Sequence, residues 1–132
     1  MPLSVIDQRL VCSGHLDKLT QAGRMIFVRS VFLQGLLLME EMPERFTSVS
    51  GYFTKLRRLA VESGYSIAEL AIGFVKGLDG VASIVIGAET PEQVLDNLRL
   101  IDAPELPENL WEHLRSCFSD APIEQIMDLL FK

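Results

Sequence analysis

An α/β fold with parallel strands is what this sequence predicts, and three observations carry the prediction. Three short segments read as strands, helical patterns fill the spaces between them, and no two strands are joined by a hairpin turn. The resulting order is β-α-β-α-α-β-α-α-α, which calls for parallel pairing through right-handed crossovers. A sheet of three parallel strands has two open edges and little room for a two-sided core. The pattern alone therefore describes a piece of a larger α/β architecture.

The first strand is expected at "PLSVI", residues 2–6, and the second at "MIFVRSVF", residues 25–32, rich in β-branched and aromatic side chains. "ASIVIG", residues 82–87, is a continuous apolar run, as expected of a strand buried on both faces. Between them, "HLDKLTQAG" is a short helix with Gly23 as its C′ residue. "YFTKLRRLAVESG" places Phe53, Leu56, Leu59 and Ala60 on one face and stops at Gly64. "SIAELAIGFVKG" opens with a Ser66/Glu69 capping box and turns Ile67, Leu70, Ala71, Phe74 and Val75 inward. "TPEQVLDNLRLI" has Pro91 at its first position and a second box, Thr90/Gln93, with Val94, Leu95, Leu98 and Ile101 as its buried stripe. Two further helices follow, "PENLWEHLRSCF" and "PIEQIMDLLF", the first with Trp111 as a packing anchor. Loops are expected over residues 36–50 and 102–106.

With 48% hydrophobic and 23% charged residues over 132 positions, the chain is a globular unit of one domain at most. Its mean hydropathy of +0.26 is high for a small soluble domain and points to apolar surface meant for another chain or segment. A net charge of −6, with Lys55, Arg57 and Arg58 as the one basic cluster, excludes a nucleic-acid binder. The apolar run over 25–39 is interrupted by Arg29, Ser30 and Gln34, which excludes a membrane span. Two distant cysteines, Cys12 and Cys117, no CxxC pair and no leader-like opening predict a cytoplasmic protein.

Two places could carry chemistry. At "SIVIGAETPEQVLDNL", residues 83–98, a strand runs through Gly87 and Ala88 into a helix capped by Thr90. Strand C-termini and helix N-termini are where α/β folds hold anionic ligands. The same junction is also simply a well-made connection, and Glu89 and Glu92 count against a phosphate. At "RSVFLQGLL" a polar pair, Arg29 and Ser30, leads into an apolar loop, which reads equally as a covering loop for the core. His15, near Cys12 and Ser13, does not have a known catalytic spacing, and no histidine–carboxylate cluster has metal-ligand spacing.

Taken in order, these segments resemble the C-terminal part of the aldo-keto reductase family. "VIGAETPEQVLDNL" is similar to the family's closing signature, roughly (V/I)-(I/P)-G-A-(S/E)-x-P-E-Q-(L/V)-x-(E/D)-N. "RSVFLQGLL" looks like its penultimate strand, often Y-S-P-L-x-x-G-L-L, and "PLSVIDQRL" like the strand before it. The resemblance covers residues 2–102 as barrel units, with 103–132 as a C-terminal helical extension. It implies a partial (β/α)8 TIM barrel, about three parallel strands with covering helices, and NADPH or NADH as hydride donor to an aldehyde or ketone.

Carried over by position, Gly87, Ala88 and Thr90 would border the adenosine phosphate. Gln93 would stand where many members place an arginine on the 2′-phosphate. Asp96 and Asn97 would face the adenine, and Ser30 and Phe32 would lie along the pyrophosphate and ribose. Arg29 replaces a tyrosine that stacks on the nicotinamide in many members, and a guanidinium can also lie flat on a ring. Glu89 and Gln93 supply no positive charge for a 2′-phosphate, which favours NADH over NADPH, or weak binding.

The family's Asp, Tyr, Lys and His tetrad belongs to earlier strands and has no counterpart here. The expected partner is the missing N-terminal barrel half or a second copy. The alternative is a non-catalytic oligomerising module derived from such a barrel. A free-standing flavodoxin-like or dehydrogenase-like domain would need a glycine-rich loop after the first strand, and "VIDQRLVCSG" has none.

Overall fold

The structure, a computed structural model, describes Met1–Phe131; Lys132, the last position of the expected helical extension, lies outside the described residues. Among the described residues there are seven α-helices and two strands: α1 (Arg9–Cys12), α2 (His15–Gln21), β1 (Ile26–Val28), α3 (Ser50–Ser63), α4 (Ile67–Lys76), β2 (Val81–Ile84), α5 (Pro91–Asp102), α6 (Glu108–Cys117) and α7 (Ile123–Leu130). β1 and β2 pair in parallel, Ile26 beside Val81 and Val28 beside Ile84. The α3–α4 pair supplies the crossover that parallel strands require.

The sheet is smaller than the sequence predicts. Residues 2–6 contribute one parallel bridge, Pro2 to Arg29, in place of a strand. Beside β1, the Leu3 N–H donates to the Arg29 carbonyl at 3.1 Å and the Arg29 N–H to that of Met1 at 2.9 Å. The Ser4 hydroxyl then accepts the Ile6 and Asp7 N–H groups at 3.2 and 2.8 Å. That turn curls the chain away before a ladder can extend. The expected loop over residues 36–50 instead holds two 3-10 turns, Leu36–Leu38 and Glu44–Val49.

One face of the sheet is covered. Ile26 and Val28 are buried with Leu70, Phe74 and Leu114 in a single apolar cluster. The other face is bare. Phe27 is 52% and Val85 59% exposed, so the strand expected to be buried on both faces is covered on one at most.

The helices follow their patterns, with one exception. Phe53, Leu56 and Ala60 of α3 are buried, and α4 carries the expected capping box, Ser66 accepting from the Glu69 N–H while Glu69 accepts from that of Ser66. The exception is α5. Val94, Leu95 and Leu98 are exposed, and the helix rests on α4 through the flank that carries Asn97, Leu100 and Ile101. Of the expected stripe, Ile101 is partly buried against the core, while Val94, Leu95 and Leu98 stay uncovered among the described residues.

Long-range ties hold the chain ends in place. Gln8, buried, donates to the Val5 and Leu114 carbonyls at 2.8 and 3.2 Å and accepts from Arg115 at 3.2 Å, joining the N-terminal turn to α6. Asp7, also buried, forms a two-pronged pair with Arg9 at 2.9 and 3.0 Å. That hydrogen bond raises the Arg9 guanidinium above its ordinary value. Trp111 of α6 stacks on Phe74 with ring centres 5.5 Å apart, and its indole N–H donates to the Phe74 carbonyl at 2.9 Å. A Cβ at Gly77 would overlap that indole, so the close approach of α6 to the end of α4 depends on glycine there.

Replacing Trp111 with Phe removes the donor to a last-turn carbonyl of α4 while keeping most of the apolar contact. The expected loss is about 1–3 kcal/mol, read as a lower urea midpoint with unchanged slope.

Candidate nucleotide-binding cleft

β1 and β2 point the same way, so their C-terminal ends deliver two loops side by side. The first turns sharply. Ser30, Leu33 and Gln34 all have positive φ, at 61°, 50° and 56°, a region non-glycine residues rarely adopt. The Leu33 and Leu37 N–H groups close the turn on the Ser30 and Phe32 carbonyls at 3.0 and 3.2 Å. Leu33, Leu36 and Leu37 are buried, so packing beneath the loop enforces its shape. The second loop, from Val85 to Glu89, leads into α5. The Val85 N–H donates to the Val28 carbonyl at 2.7 Å, extending the pairing up to the cleft.

Between these loops lies a cleft of about 890 Å³. Its lining includes Ser30, Phe32, Gly87, Ala88, Gln93, Asp96 and Asn97, seven of the nine residues expected at a cofactor site. Arg29 stands beside it, with its guanidinium 3.4 Å from the Ser30 hydroxyl. Thr90 does not line it. Thr90 borders a shallow groove of about 540 Å³ on the opposite flank of α5, with Pro91, Val94 and Leu95. Gln34, Leu38, Ala68, Ile86 and Leu100 are among the other lining residues and were not anticipated. The positive φ values of Leu33 and Gln34 explain why, since neither residue type advertises that conformation. The "QG" turn with Gly35 was the available sign.

The α5 cap differs from the expected box. Thr90 accepts the Gln93 N–H at 3.2 Å, but the Gln93 carboxamide oxygen accepts from the Glu89 N–H at 2.6 Å, one residue earlier than a capping box requires. Pro91 has no N–H, so few free donors remain at this helix start. With its oxygen engaged, Gln93 has only its NH2 left to offer. The Asn97 NH2 donates to the Gly87 carbonyl at 3.4 Å. A Cβ at Gly87 would meet nothing within 4 Å, so the space beside it is open.

These residues suit a flat, uncharged ring system with hydroxyls, as in adenosine: apolar walls, amide donors and an open glycine. They do not suit a phosphate monoester, because the lining includes Glu89 and Asp96 and no lysine or arginine.

Other candidates do not assemble. His15 pairs with the Ser13 hydroxyl at 2.6 Å, while the Cys12 thiol contacts the Ser119 carbonyl and Arg115. His113 lies 3.5 Å from the Cys117 sulfur on an exposed helix face. Among the described residues no group of three or more His, Cys, Asp or Glu could hold a metal ion, and no helix is long and apolar enough to cross a membrane.

Residues 13–118 match the sequence pattern of the Aldo/keto reductase family. The chain belongs to that family. A comparison with curated proteins gives no match. Among solved structures, the aldo-keto reductase AKR11C1 from Bacillus halodurans, in holo and apo forms, superposes with a TM-score of 0.77 at 23% identity, over 89% of this chain and 41% of that one. The glycerol dehydrogenase AKR11B4 from Gluconobacter oxydans superposes with a TM-score of 0.69 at 16% identity, over 92% of this chain and 42% of that one. At these identities the likeness is one of fold. The chain spans about two fifths of the length of the solved structures it matches.

The cap on α5 holds one wall of the cleft. Thr90→Ala is expected to cost about 1 kcal/mol of stability. Amide exchange should accelerate over residues 91–94 ahead of the rest of the chain.

Proposed function

We propose that this aldo/keto reductase segment holds the adenosine end of a nicotinamide dinucleotide, NADH in preference to NADPH. The observation that supports this reading is the cleft at the strand C-termini, where seven of the nine expected residues converge. When bound, such a cofactor supplies hydride to an aldehyde or ketone.

The chain's own residues bind and orient. Phe32 and Leu100 offer apolar walls to a ring, Gly87 leaves room for close approach, and the Gln93 NH2 donates to a ribose hydroxyl. The Ser30 hydroxyl, which can accept from Arg29, keeps its own hydrogen for a pyrophosphate oxygen. Arg29 stands beside the cleft and would lie against the pyrophosphate or flat on the nicotinamide. Glu89 and Asp96 repel the dianionic 2′-phosphate that distinguishes NADPH. Hydride acceptance by a carbonyl also needs a proton donor, typically contributing about 10²–10⁴-fold. In this reading the donor and the substrate pocket come from the rest of a barrel, covalently attached or supplied in trans. The two free cysteines suit a reducing, cytoplasmic setting.

Calorimetric titration tests the assignment. NADH is expected to bind at least about tenfold more tightly than NADPH, a difference of about 1.4 kcal/mol. Gln93→Arg should narrow or invert that ratio by strengthening NADPH binding alone. Tighter binding of NADPH to the unaltered chain, or no binding of either, would overturn the reading. A panel of aldehydes assayed with either cofactor should show no turnover by the isolated chain; reduction above background would move catalysis into these residues.

A further inference from the structure

We propose that His113 and Cys117 form a two-donor chelate for Zn²⁺ on α6. Four residues apart, they stand one above the other on one face of the helix. The Cys117 sulfur lies 3.5 Å from the nearer imidazole nitrogen of His113, Nε2. The inference is independent of the nucleotide reading, since neither residue lines the cleft.

Geometry carries it first. Zinc holds a thiolate sulfur at about 2.3 Å and an imidazole nitrogen at about 2.0–2.1 Å, and a tetrahedral angle then sets the two donors about 3.5–3.6 Å apart. The pair is therefore already spaced at the bite of the ion. The backbone beneath it is fixed. Leu114 and Phe118, the next residue after each donor, are buried, and Trp111 of the same helix stacks on Phe74. Binding thus orders two side chains and leaves the helix where it is.

Availability is the second observation. His113 is exposed and Cys117 half-buried. Among the described residues neither side chain has another hydrogen-bond partner. His113 also borders a groove of about 500 Å³ with Ser63, Tyr65 and Asn109, which admits the ion and its water. The other thiol is placed differently. Cys12 lies 3.7 Å from the Arg115 guanidinium, a cation that opposes a metal ion there, and the neighbouring His15 is engaged by the Ser13 hydroxyl.

Without the ion, the thiol shares its hydrogen with the imidazole. Zn²⁺ takes the place of that hydrogen: the S–H bond breaks, S–Zn and N–Zn bonds form, and the proton leaves to solvent with no change of oxidation state. Two donors fall short of the four that close a structural zinc site. Water fills the other two positions, and the ion exchanges freely. Mg²⁺ and Ca²⁺, which take oxygen ligands, are not expected to bind.

Calorimetric titration of the full chain with Zn²⁺, repeated in two buffers of different ionisation enthalpy, is the test. One ion should bind per chain with release of about one proton, and Mg²⁺ should give no heat. His113→Ala and Cys117→Ser should each weaken binding at least about tenfold, since loss of even an outer partner of a metal ligand costs that much. Cys12→Ser should leave it unchanged. Zn²⁺ should also slow modification of Cys117 by a thiol reagent while Cys12 reacts as before, a readout that a change in folding alone would not give. The near-ultraviolet dichroism of Trp111 reports that each variant is folded. Absence of binding would overturn the proposal, as would an affinity unchanged by His113→Ala or Cys117→Ser, or a Cys117 thiol left unprotected by the ion.

Discussion

The parallel pairing of β1 with β2 is the contact on which the rest of this molecule depends. Parallel strands cannot be joined by a tight turn, so the chain between them must form a crossover, and α3 and α4 are that crossover. Once they cover one face, Ile26 and Val28 have a core to enter, and the N-terminal turn and α6 close over its ends. The same pairing brings the loops after both strands to one end of the sheet. The cleft is therefore a consequence of strand direction. Antiparallel pairing would have sent the Ser30 loop and the Gly87 loop to opposite ends.

The pairing also explains what is left uncovered. A two-stranded parallel sheet with helices on one side has a bare face and an open edge along β2. Phe27 and Val85 lie on the first, and Val94, Leu95 and Leu98 of α5 are likewise exposed. These are features of one geometry. Its solved counterparts are more than twice as long. Exposed apolar area of this kind is a driving force for association.

Charge separates the two ends of the site. Arg29 stands at the end of β1, whereas Glu89 and Asp96 stand at the end reached by α5. In the function proposed above, a dinucleotide laid along the cleft would meet Arg29 near the pyrophosphate and two carboxylates near the adenosine. The Gln93 side chain, held by the Glu89 backbone, offers a donor without a charge. Neutral hydroxyls fit that arrangement better than a second phosphate does.

Local patterns determined most of the helices. The Ser66 box, the Gly23 and Gly64 stops and the inward faces of α3 and α4 depend on neighbours within a turn or two, so they were legible in the sequence. So were seven cleft residues, because the resemblance to the family's motifs places them on the loop after β1, the loop after β2 and the start of α5. The tertiary structure alone decided three things. It decided that residues 2–6 make a bridge and a turn, because the Ser4 hydroxyl competes with the ladder for backbone hydrogen bonds. It decided that Leu33 and Gln34 take positive φ, because buried leucines in that loop override residue preference. And it decided that the Val94–Leu98 stripe stays bare. Amphipathic spacing shows that a helix has an apolar face, but only the arrangement of the other elements determines whether anything covers it.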